Sequence, residues 1–230
     1  MNTDLEKLQR KIHYRFRDVS YLKHALIHPS YSGEMHWGRE RSNQRLEFLG
    51  DAVLELVISD YLYRTYPGLE EGELTRKRSS LVFEAALNVC ARDIGLGAYL
   101  YLGKGEDNSN GREKPSILSD TFEAVIGAIF LDGGFEAARS FIDEFLIQDI
   151  DELSLLHDGK SMIQEYTQRF DNMALRYNTY SLESPDHMKQ FCSELFVGEE
   201  LVAKGHGHSK KNAEQNAALL AIKKLGISSG

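Results

Sequence analysis

Residues 43–51 read Asn43-Gln44-Arg45-Leu46-Glu47-Phe48-Leu49-Gly50-Asp51, and the interpretation of the whole chain starts from this stretch. On a helix, Glu47 and Asp51 are four residues apart and share one face, with Gln44 one turn earlier on the same side. Like charges at this spacing repel each other by roughly a few tenths of a kcal/mol. The pair is therefore either a solvated helix face or a site that a cation neutralises.

A second carboxylate pair, Asp120 and Glu123, is three residues apart, and the apolar run from Phe122 to Leu131 predicts that its helix is buried. Charged residues are rarely buried without partners. Four oxygen donors with no His or Cys nearby favour Mg²⁺ or Mn²⁺ over zinc. Such a set could hold ions for phosphodiester hydrolysis. Each pair alone is more typical of a solvated helix face, and spacing cannot show that the two helices meet.

The periodicity of apolar residues divides the chain into two parts. From about residue 4 to 153 they recur every three or four residues, the helical period, with turn signals that include Pro29 and Asp132-Gly133-Gly134. This pattern predicts an all-α domain over residues 1–153. After a polar joint at 154–159, residues 160–227 predict a small α+β domain of order α-β-β-β-α. Its elements are expected at Lys160–Phe170, Tyr177–Leu182, Lys189–Phe196, Glu200–Gly205 and Lys211–Leu225.

Composition is that of an ordinary soluble protein, with 230 residues, 42% hydrophobic and 27% charged. The start has no apolar run typical of a signal peptide, and the longest apolar stretch, Ala124–Leu131, is far short of the roughly 20 residues of a membrane span. Cys90 and Cys192 stand alone, as is typical of a reducing compartment. We expect a cytoplasmic protein with no membrane partner.

The net charge of −8 is unevenly distributed. Residues 1–158 hold 18 Lys and Arg against 27 Asp and Glu (−9), and residues 159–230 hold 9 against 8 (+1). Clustered acids can bind cations that offset their charge locally, so the negative sum does not exclude a nucleic-acid partner. The same charge could equally serve solubility alone.

The stretch from Asn43 to Leu54 closely resembles the signature of the ribonuclease III family. Further blocks follow in the family's order: Glu71-Gly72 before a basic helix, Lys114-Pro115-Ser116-Ile117-Leu118-Ser119-Asp120, Glu123-Ala124-Val125-Ile126-Gly127-Ala128 and Leu131-Asp132-Gly133-Gly134. The resemblance implies an all-α endonuclease domain in which Glu47, Asp51, Asp120 and Glu123 bind Mg²⁺, with Glu71 assisting in the same cleft. Mn²⁺ is expected to substitute for Mg²⁺.

The activity that the resemblance implies is Mg²⁺-dependent hydrolysis of double-stranded RNA, leaving 5′-phosphate and 3′-hydroxyl ends. Structured precursors, especially ribosomal RNA, and antisense duplexes are the expected substrates. A helical Phe usually packs in its own core, but the family aromatic that matches Phe48 packs into a partner subunit. The resemblance therefore implies a two-fold homodimer.

Gln44 departs from the family, which usually has Glu at this position. Gln is nearly isosteric with Glu, but it carries an NH₂ donor and no charge. In the family this position lines the cleft and is not usually counted as a metal ligand. We therefore expect activity to survive, although the rate, metal preference or substrate preference could differ.

Three segments of the second part resemble a double-stranded-RNA-binding domain. They are Lys160-Ser161-Met162-Ile163-Gln164-Glu165-Tyr166, Pro185-Asp186-His187 and the basic helix start at 209–218. The resemblance implies that Ser161 and Gln164 reach minor-groove hydroxyls and that the loop with His187 enters the next minor groove. Lys210 and Lys211, at the helix N-terminus, are implied to face phosphates.

Two rival interpretations stay open at this point. A non-cleaving protein that sequesters double-stranded RNA has Gln44 in its favour, but it leaves the four retained acids unexplained. A metal-binding scaffold without an RNA role leaves the second domain unexplained.

Overall fold

The computed structural model describes residues 2–148, 159, 162–164, 166–168, 174–182, 190–207 and 210–227. The chain forms two compact units, Met1–Ile150 and Asp151–Gly230, which are described separately below. Within the described residues, no helix has the length and apolar character needed to cross a membrane. The predicted joint at 154–159 lies outside the described residues except for Gly159, which is helical.

The first unit is helical, as predicted. Pro29 begins a helix instead of marking a turn, since Pro suits the first helical position. One isolated parallel bridge joins Ile27 to Tyr101. The helices are α1 (Asn2–Lys11), α2 (Val19–Ala25), α3 (Pro29–Glu34), α4 (Gln44–Thr65), α5 (Glu71–Ser79), α6 (Glu84–Ile94), α7 (Lys104–Asn108), α8 (Pro115–Gly133) and α9 (Phe135–Ile142).

Helices α4 and α8 form the centre of this unit. Helix α8 is buried along most of its length, which confirms the prediction from its apolar run, whereas α4 buries one side only. The largest fully buried side chain is Phe122 of α8, which stacks on Phe141 of α9 with ring centroids 5.3 Å apart. The buried side of α4 comprises Leu46, Gly50, Val53, Leu54, Val57, Ile58 and Leu62.

Two glycines let the backbones of α4 and α8 touch. A Cβ placed on Gly50 would overlap the carbonyl oxygen of Glu123, and one placed on Gly127 would overlap the carbonyl oxygen of Leu46. Any larger residue at either position would force the two helices apart. The crossing therefore depends on one glycine from each helix.

Asp132 ties the far end of α8 to the segment between α1 and α2. Its buried carboxylate accepts hydrogen bonds from the Tyr14 hydroxyl (2.7 Å) and from the backbone N–H groups of Arg17 (2.9 Å) and Asp18 (2.8 Å). Burial alone would raise the pKa of Asp132. The N–H groups of Asp18 and Arg17 and the Tyr14 hydroxyl outweigh burial and hold this pKa below its ordinary value.

The second unit has a three-stranded antiparallel sheet in the order β1-β2-β3, formed by β1 (Leu175–Ser181), β2 (Phe191–Val197) and β3 (Glu200–Gly207). Helix α10 (Lys210–Leu225) packs on it. A Cβ on Gly205 would overlap the backbone of α10 at Ala217 and Ala213, so strand and helix are in direct contact. The three strands and the last helix are confirmed, with ends that differ from the prediction by two residues at most.

Replacing Asp132 by Asn tests the anchor at the end of α8. Asn keeps the size, but it loses the charge and turns an NH₂ donor toward groups that are themselves donors. We expect a loss of about 2–3 kcal/mol in the free energy of unfolding, measured by urea unfolding at pH 7. Fluorescence of Trp37, the only tryptophan of the chain, follows this unit specifically.

The pH dependence of this loss follows from the lowered pKa of Asp132. The contribution of the carboxylate is present above its unfolded pKa and disappears as pH falls through the lower folded pKa, so the stabilities of the two proteins should begin to converge only below about pH 4. As a control, Tyr14→Phe removes one of the three hydrogen bonds and should cost only about 1 kcal/mol. A loss equal to that control at pH 7 would contradict the anchoring role.

Candidate functional site

The crossing of α4 and α8 brings the two predicted carboxylate pairs together. Glu47 and Asp51 flank Gly50 on α4, and the carbonyl of Glu123 is the α8 group that Gly50 meets. Asp120 lies one turn before Glu123 on the same helix. The sequence predicted each pair, and the glycine contact is what makes the pairs neighbours.

The pKa values of the two glutamates reflect this proximity. Burial, then the charges of Asp51, Asp120 and Glu47, raises the pKa of Glu123 to about 8. Burial, then the charges of Asp120 and Asp51, raises the pKa of Glu47 to about 7. A raised carboxyl pKa means that the folded protein disfavours the ionised form. The site therefore disfavours full ionisation of its carboxyl groups, and no basic group of the described residues is among the causes that shift the pKa values of these two glutamates.

The two aspartates have raised pKa values as well, and two further acids contribute. Burial and then the charge of Glu55 raise the pKa of Asp51. Burial raises the pKa of Asp120; a hydrogen bond from Ser119 opposes this shift and the charge of Glu84 adds to it. Sequence reasoning missed Glu55 and Glu84. Glu55 could have been found, because it follows Asp51 by four residues on one helix, whereas Glu84 begins a different helix.

The donor set fits a hard divalent cation by its chemistry. All four groups offer carboxylate oxygens, which Mg²⁺ and Mn²⁺ prefer, and the charges that raise their pKa values are all negative. Among the described residues, no three His, Cys, Asp or Glu side chains form a ready-made ligand group. The carboxylates are thus electrostatic neighbours whose oxygens are not gathered around one point.

Glu71 and Gln44, the other two predicted cleft residues, are both exposed. Glu71 begins α5, and its carboxylate accepts a hydrogen bond from the Thr75 hydroxyl at 3.1 Å. Glu71 is not among the groups whose charges raise the pKa values of the four clustered acids. Gln44 is the first residue of α4, one turn before Glu47. The roles of both residues stay predictions.

Phe48 does not pack in the core of its own unit, because 79% of it is exposed. Leu56 (56% exposed) and Tyr63 (73% exposed) continue the same side of α4 at helical spacing. We call Phe48, Leu56 and Tyr63 the apolar stripe. This stripe lies beside the side of α4 that carries Glu47 and Asp51, so α4 has a buried side, an acidic side and an exposed apolar side.

The described part of the second unit includes two of the predicted RNA-contacting side chains. Gln164 is helical and exposed, next to Ile163, which is fully buried in the core of the unit. Lys210 is exposed as the first residue of α10. Ser161, His187 and the side chain of Lys211 lie outside the described residues, so their predicted roles are untested.

Comparison with known proteins identifies both units. A family profile described as "Ribonuclease-III-like" matches residues 18–150, and one described as "Double-stranded RNA binding motif" matches residues 160–225. The boundary between the two matches coincides closely with the division of the chain into compact units.

Curated relatives and a solved structure agree with the family profiles. "Ribonuclease 3" from Desulfotalea psychrophila is 48% identical over 222 residues, covering 95% of this chain and 92% of the relative. "Ribonuclease 3" from Borreliella burgdorferi is 42% identical over 226 residues, covering 97% and 92%. The nuclease domain of ribonuclease III from Campylobacter jejuni superposes with a TM-score of 0.58 at 41% identity, covering 63% of this chain and 96% of that domain.

Replacing Glu123 by Gln tests the stored negative charge. Because the folded pKa of Glu123 (about 8) exceeds its ordinary value of 4.5, its ionisation lowers stability progressively as pH rises between these values. In chelator at pH 8, we expect Glu123→Gln to be more stable than the natural protein by about 1–2 kcal/mol after allowance for solvent screening. Thermal unfolding should show a rise of about 2–8 °C.

The gain should disappear at pH 4, where Glu123 is protonated in the folded and largely in the unfolded protein. Adding Mg²⁺ at pH 8 should stabilise the natural protein more than the variant. Glu136→Gln, on an exposed residue of α9, is the matched control and should change stability little at either pH. A variant that is less stable than the natural protein at pH 8 would contradict this account.

Proposed function

Since the chain belongs to the ribonuclease III family, whose general activity is the endonucleolytic cleavage of double-stranded RNA, we propose that Glu47, Asp51, Asp120 and Glu123 form its metal-dependent catalytic centre. The observation that supports this most directly is the α4–α8 crossing, where Gly50 meets the carbonyl of Glu123 and where burial, then the neighbouring acids, raises the pKa values of Glu47 and Glu123. Mg²⁺ is the proposed ion, and Mn²⁺ would substitute, because the ligand oxygens suit both.

A bound Mg²⁺ would supply an activated water and charge stabilisation at the leaving oxygen, giving 5′-phosphate and 3′-hydroxyl ends. The protein's part is to hold four carboxyl groups close together before the ion arrives, and the raised pKa values of Glu47 and Glu123 mean that these two would ionise fully only as the ion binds. Binding would draw the carboxylates toward one another, and a divalent charge would favour that movement because it offsets their repulsion. Glu71 would assist from α5, and Gln44 would line the cleft without contributing charge.

The second unit would deliver the duplex. Gln164 is exposed on the first helix of this unit and Lys210 at the start of α10, as minor-groove and phosphate contacts require. Ser161, His187 and Lys211 would complete the surface. Such contacts recognise the shape of A-form RNA more than its sequence, so ribosomal and other structured precursors are the proposed substrates. The cytoplasm is the proposed compartment, and the buried Cys90 and Cys192, which are not joined in a disulfide, are compatible with its reducing conditions.

The proposed assembly is a homodimer formed through the apolar stripe. Several large apolar side chains exposed along one side of a helix usually mark a surface that binds a partner, whereas a single exposed apolar residue does not. The solved relative from Campylobacter jejuni has a region described as involved in dimer formation of its nuclease domain. A two-fold dimer would place one catalytic centre against each strand of the duplex.

Cleavage of a long perfect RNA duplex by purified protein tests the catalytic centre. We expect shortening in Mg²⁺ or Mn²⁺ and none in chelator, and a rate at least about 10³-fold lower for Asp120→Asn. Gln44→Glu is the companion variant, and it should change the natural rate by less than about ten-fold. Intact RNA that is nevertheless retained in a gel-shift assay would favour the sequestering alternative, as would cleavage that appears only in Gln44→Glu.

Sedimentation of the Phe48→Glu variant tests the dimer. Burying an unpaired charge in the apolar stripe is unfavourable, so the dissociation constant of the dimer should rise at least about ten-fold. The monomer should then dominate at micromolar protein concentration. Val19→Glu alters another exposed apolar residue of the same unit, 40% exposed and outside the stripe, and should leave the natural state unchanged. Equal behaviour of the two variants would exclude the stripe as the interface.

A further inference from the structure

Trp37, the only tryptophan of the chain, lies partly exposed (37%) in the segment that joins α3 to α4. Its position is fixed from two sides. Its backbone N–H donates to the Ser32 carbonyl at 2.9 Å, and its ring meets Tyr31 edge-on with centroids 5.7 Å apart. Tyr31 in turn contacts Tyr101, with centroids 5.6 Å apart. These contacts fix the orientation of the partly exposed indole ring.

The side chain of Arg41 lies over the Trp37 ring. Its guanidinium carbon lies 5.7 Å from the centroid of the Trp37 ring, within range of a cation–π attraction. Its backbone is held by a hydrogen bond from its N–H to the Gly38 carbonyl at 3.0 Å. The side chain is exposed, and none of the ion pairs between described residues includes it. The group that orients this guanidinium is a neutral ring and not a carboxylate, so the positive charge of Arg41 stays available for a ligand.

The segment runs directly into the helix that carries two of the four acids. The buried Asn43 donates its N–H to the Ile27 carbonyl at 2.8 Å, and His24 Nε2 bonds the Ser42 carbonyl at 2.9 Å. Arg41 is therefore fixed three residues before the start of α4. Residues 36–45 hold three Arg and one Glu (+2), within a region, residues 1–158, whose charge is −9. The segment is therefore locally basic, and it directly precedes the helix that carries Glu47 and Asp51.

We propose that Arg41 binds a backbone phosphate of the RNA duplex, with Trp37 as the positioning residue that holds its guanidinium outward. The inference rests on the proposed function, because it places this contact on the same duplex that the acids would cut. A guanidinium presents paired N–H donors that match phosphate oxygens. Duplex RNA is recognised largely through its backbone. An exposed arginine that has no ion pair among the described residues is best suited to bind a polyanion.

Acrylamide quenching of Trp37 in the full-length protein tests the contact directly. The probe is a 25-base-pair RNA duplex in chelator, so no cleavage takes place, and anisotropy of the labelled duplex follows binding in parallel. We expect the quenching constant to fall by roughly two-fold at saturating RNA. Arg41→Gln should weaken duplex binding by about three- to ten-fold and reduce the slope of log K against log salt by about 0.9, the value for one phosphate contact.

The positioning role of Trp37 predicts a difference between two substitutions. Trp37→Phe retains a ring beneath the guanidinium and should bind the duplex within about two-fold of the natural protein, whereas Trp37→Ala should bind as weakly as Arg41→Gln. In Mg²⁺ at saturating protein, the cleavage rate of Arg41→Gln should stay within about two-fold of the natural rate. The Arg41→Gln substitution should therefore raise KM and leave kcat nearly unchanged.

Arg15→Gln is the matched control, because it removes an exposed arginine from the same unit. Arg15 also follows Tyr14, whose hydroxyl donates to Asp132. Asp132 lies twelve residues beyond Asp120 on α8, which is about 18 Å along the helix axis. Unchanged quenching while anisotropy reports binding would overturn the proposal, as would equal effects of Arg41→Gln and Arg15→Gln. Protection of Trp37 that depends on protein concentration and not on RNA would assign the surface to a second copy of the chain instead. Absence of cleavage in Mg²⁺ would refute the proposed function separately, since the binding measurements contain no metal.

Discussion

The backbone contact between α4 and α8 is the constraint on which the rest of the nuclease unit depends. Gly50 meets the carbonyl of Glu123, and Gly127 meets that of Leu46. This contact brings the buried sides of both helices together and sets two carboxylate pairs side by side. Interaction between charges falls with distance and with solvent screening, so a crossing held apart by even one methyl group would weaken both the core and the cluster. Packing and electrostatics are thus set by the same two glycines.

Helix α8 shows how position decides what a carboxylate does. At its far end, Asp132 is buried but receives three donated hydrogen bonds, and its pKa is lowered. In its middle, burial and then the charges of the neighbouring acids raise the pKa of Glu123 to about 8. The first arrangement stabilises the fold, and the second lowers stability at the place where we propose that a cation binds. Proteins often hold strained or destabilised groups where they function, and the anchored end of α8 offsets part of that cost.

Sequence reasoning was strongest where the information is local. Helical periodicity predicted the all-α unit, alternation predicted the three strands, and residue spacing predicted the shared face of Glu47 and Asp51. It could not show that Asp120 and Glu123 approach that face, because two distant segments meet only through tertiary packing. Glu84 escaped notice for the same reason. Local pattern likewise could not distinguish the exposed Phe48 from a core aromatic, since both occupy apolar positions of a helix.

The distribution of charge also explains how an acidic protein can engage a polyanion. The negative charge of residues 1–158 includes the four clustered acids, whose mutual repulsion decreases as a cation binds. The two basic residues that we propose to contact the RNA backbone are both exposed: Lys210 on the second unit and Arg41 in the segment before α4. Long-range attraction is weak at physiological salt because the Debye length is only about 8 Å. The local placement of charge therefore matters more than the net charge of −8 for the proposed binding of a duplex.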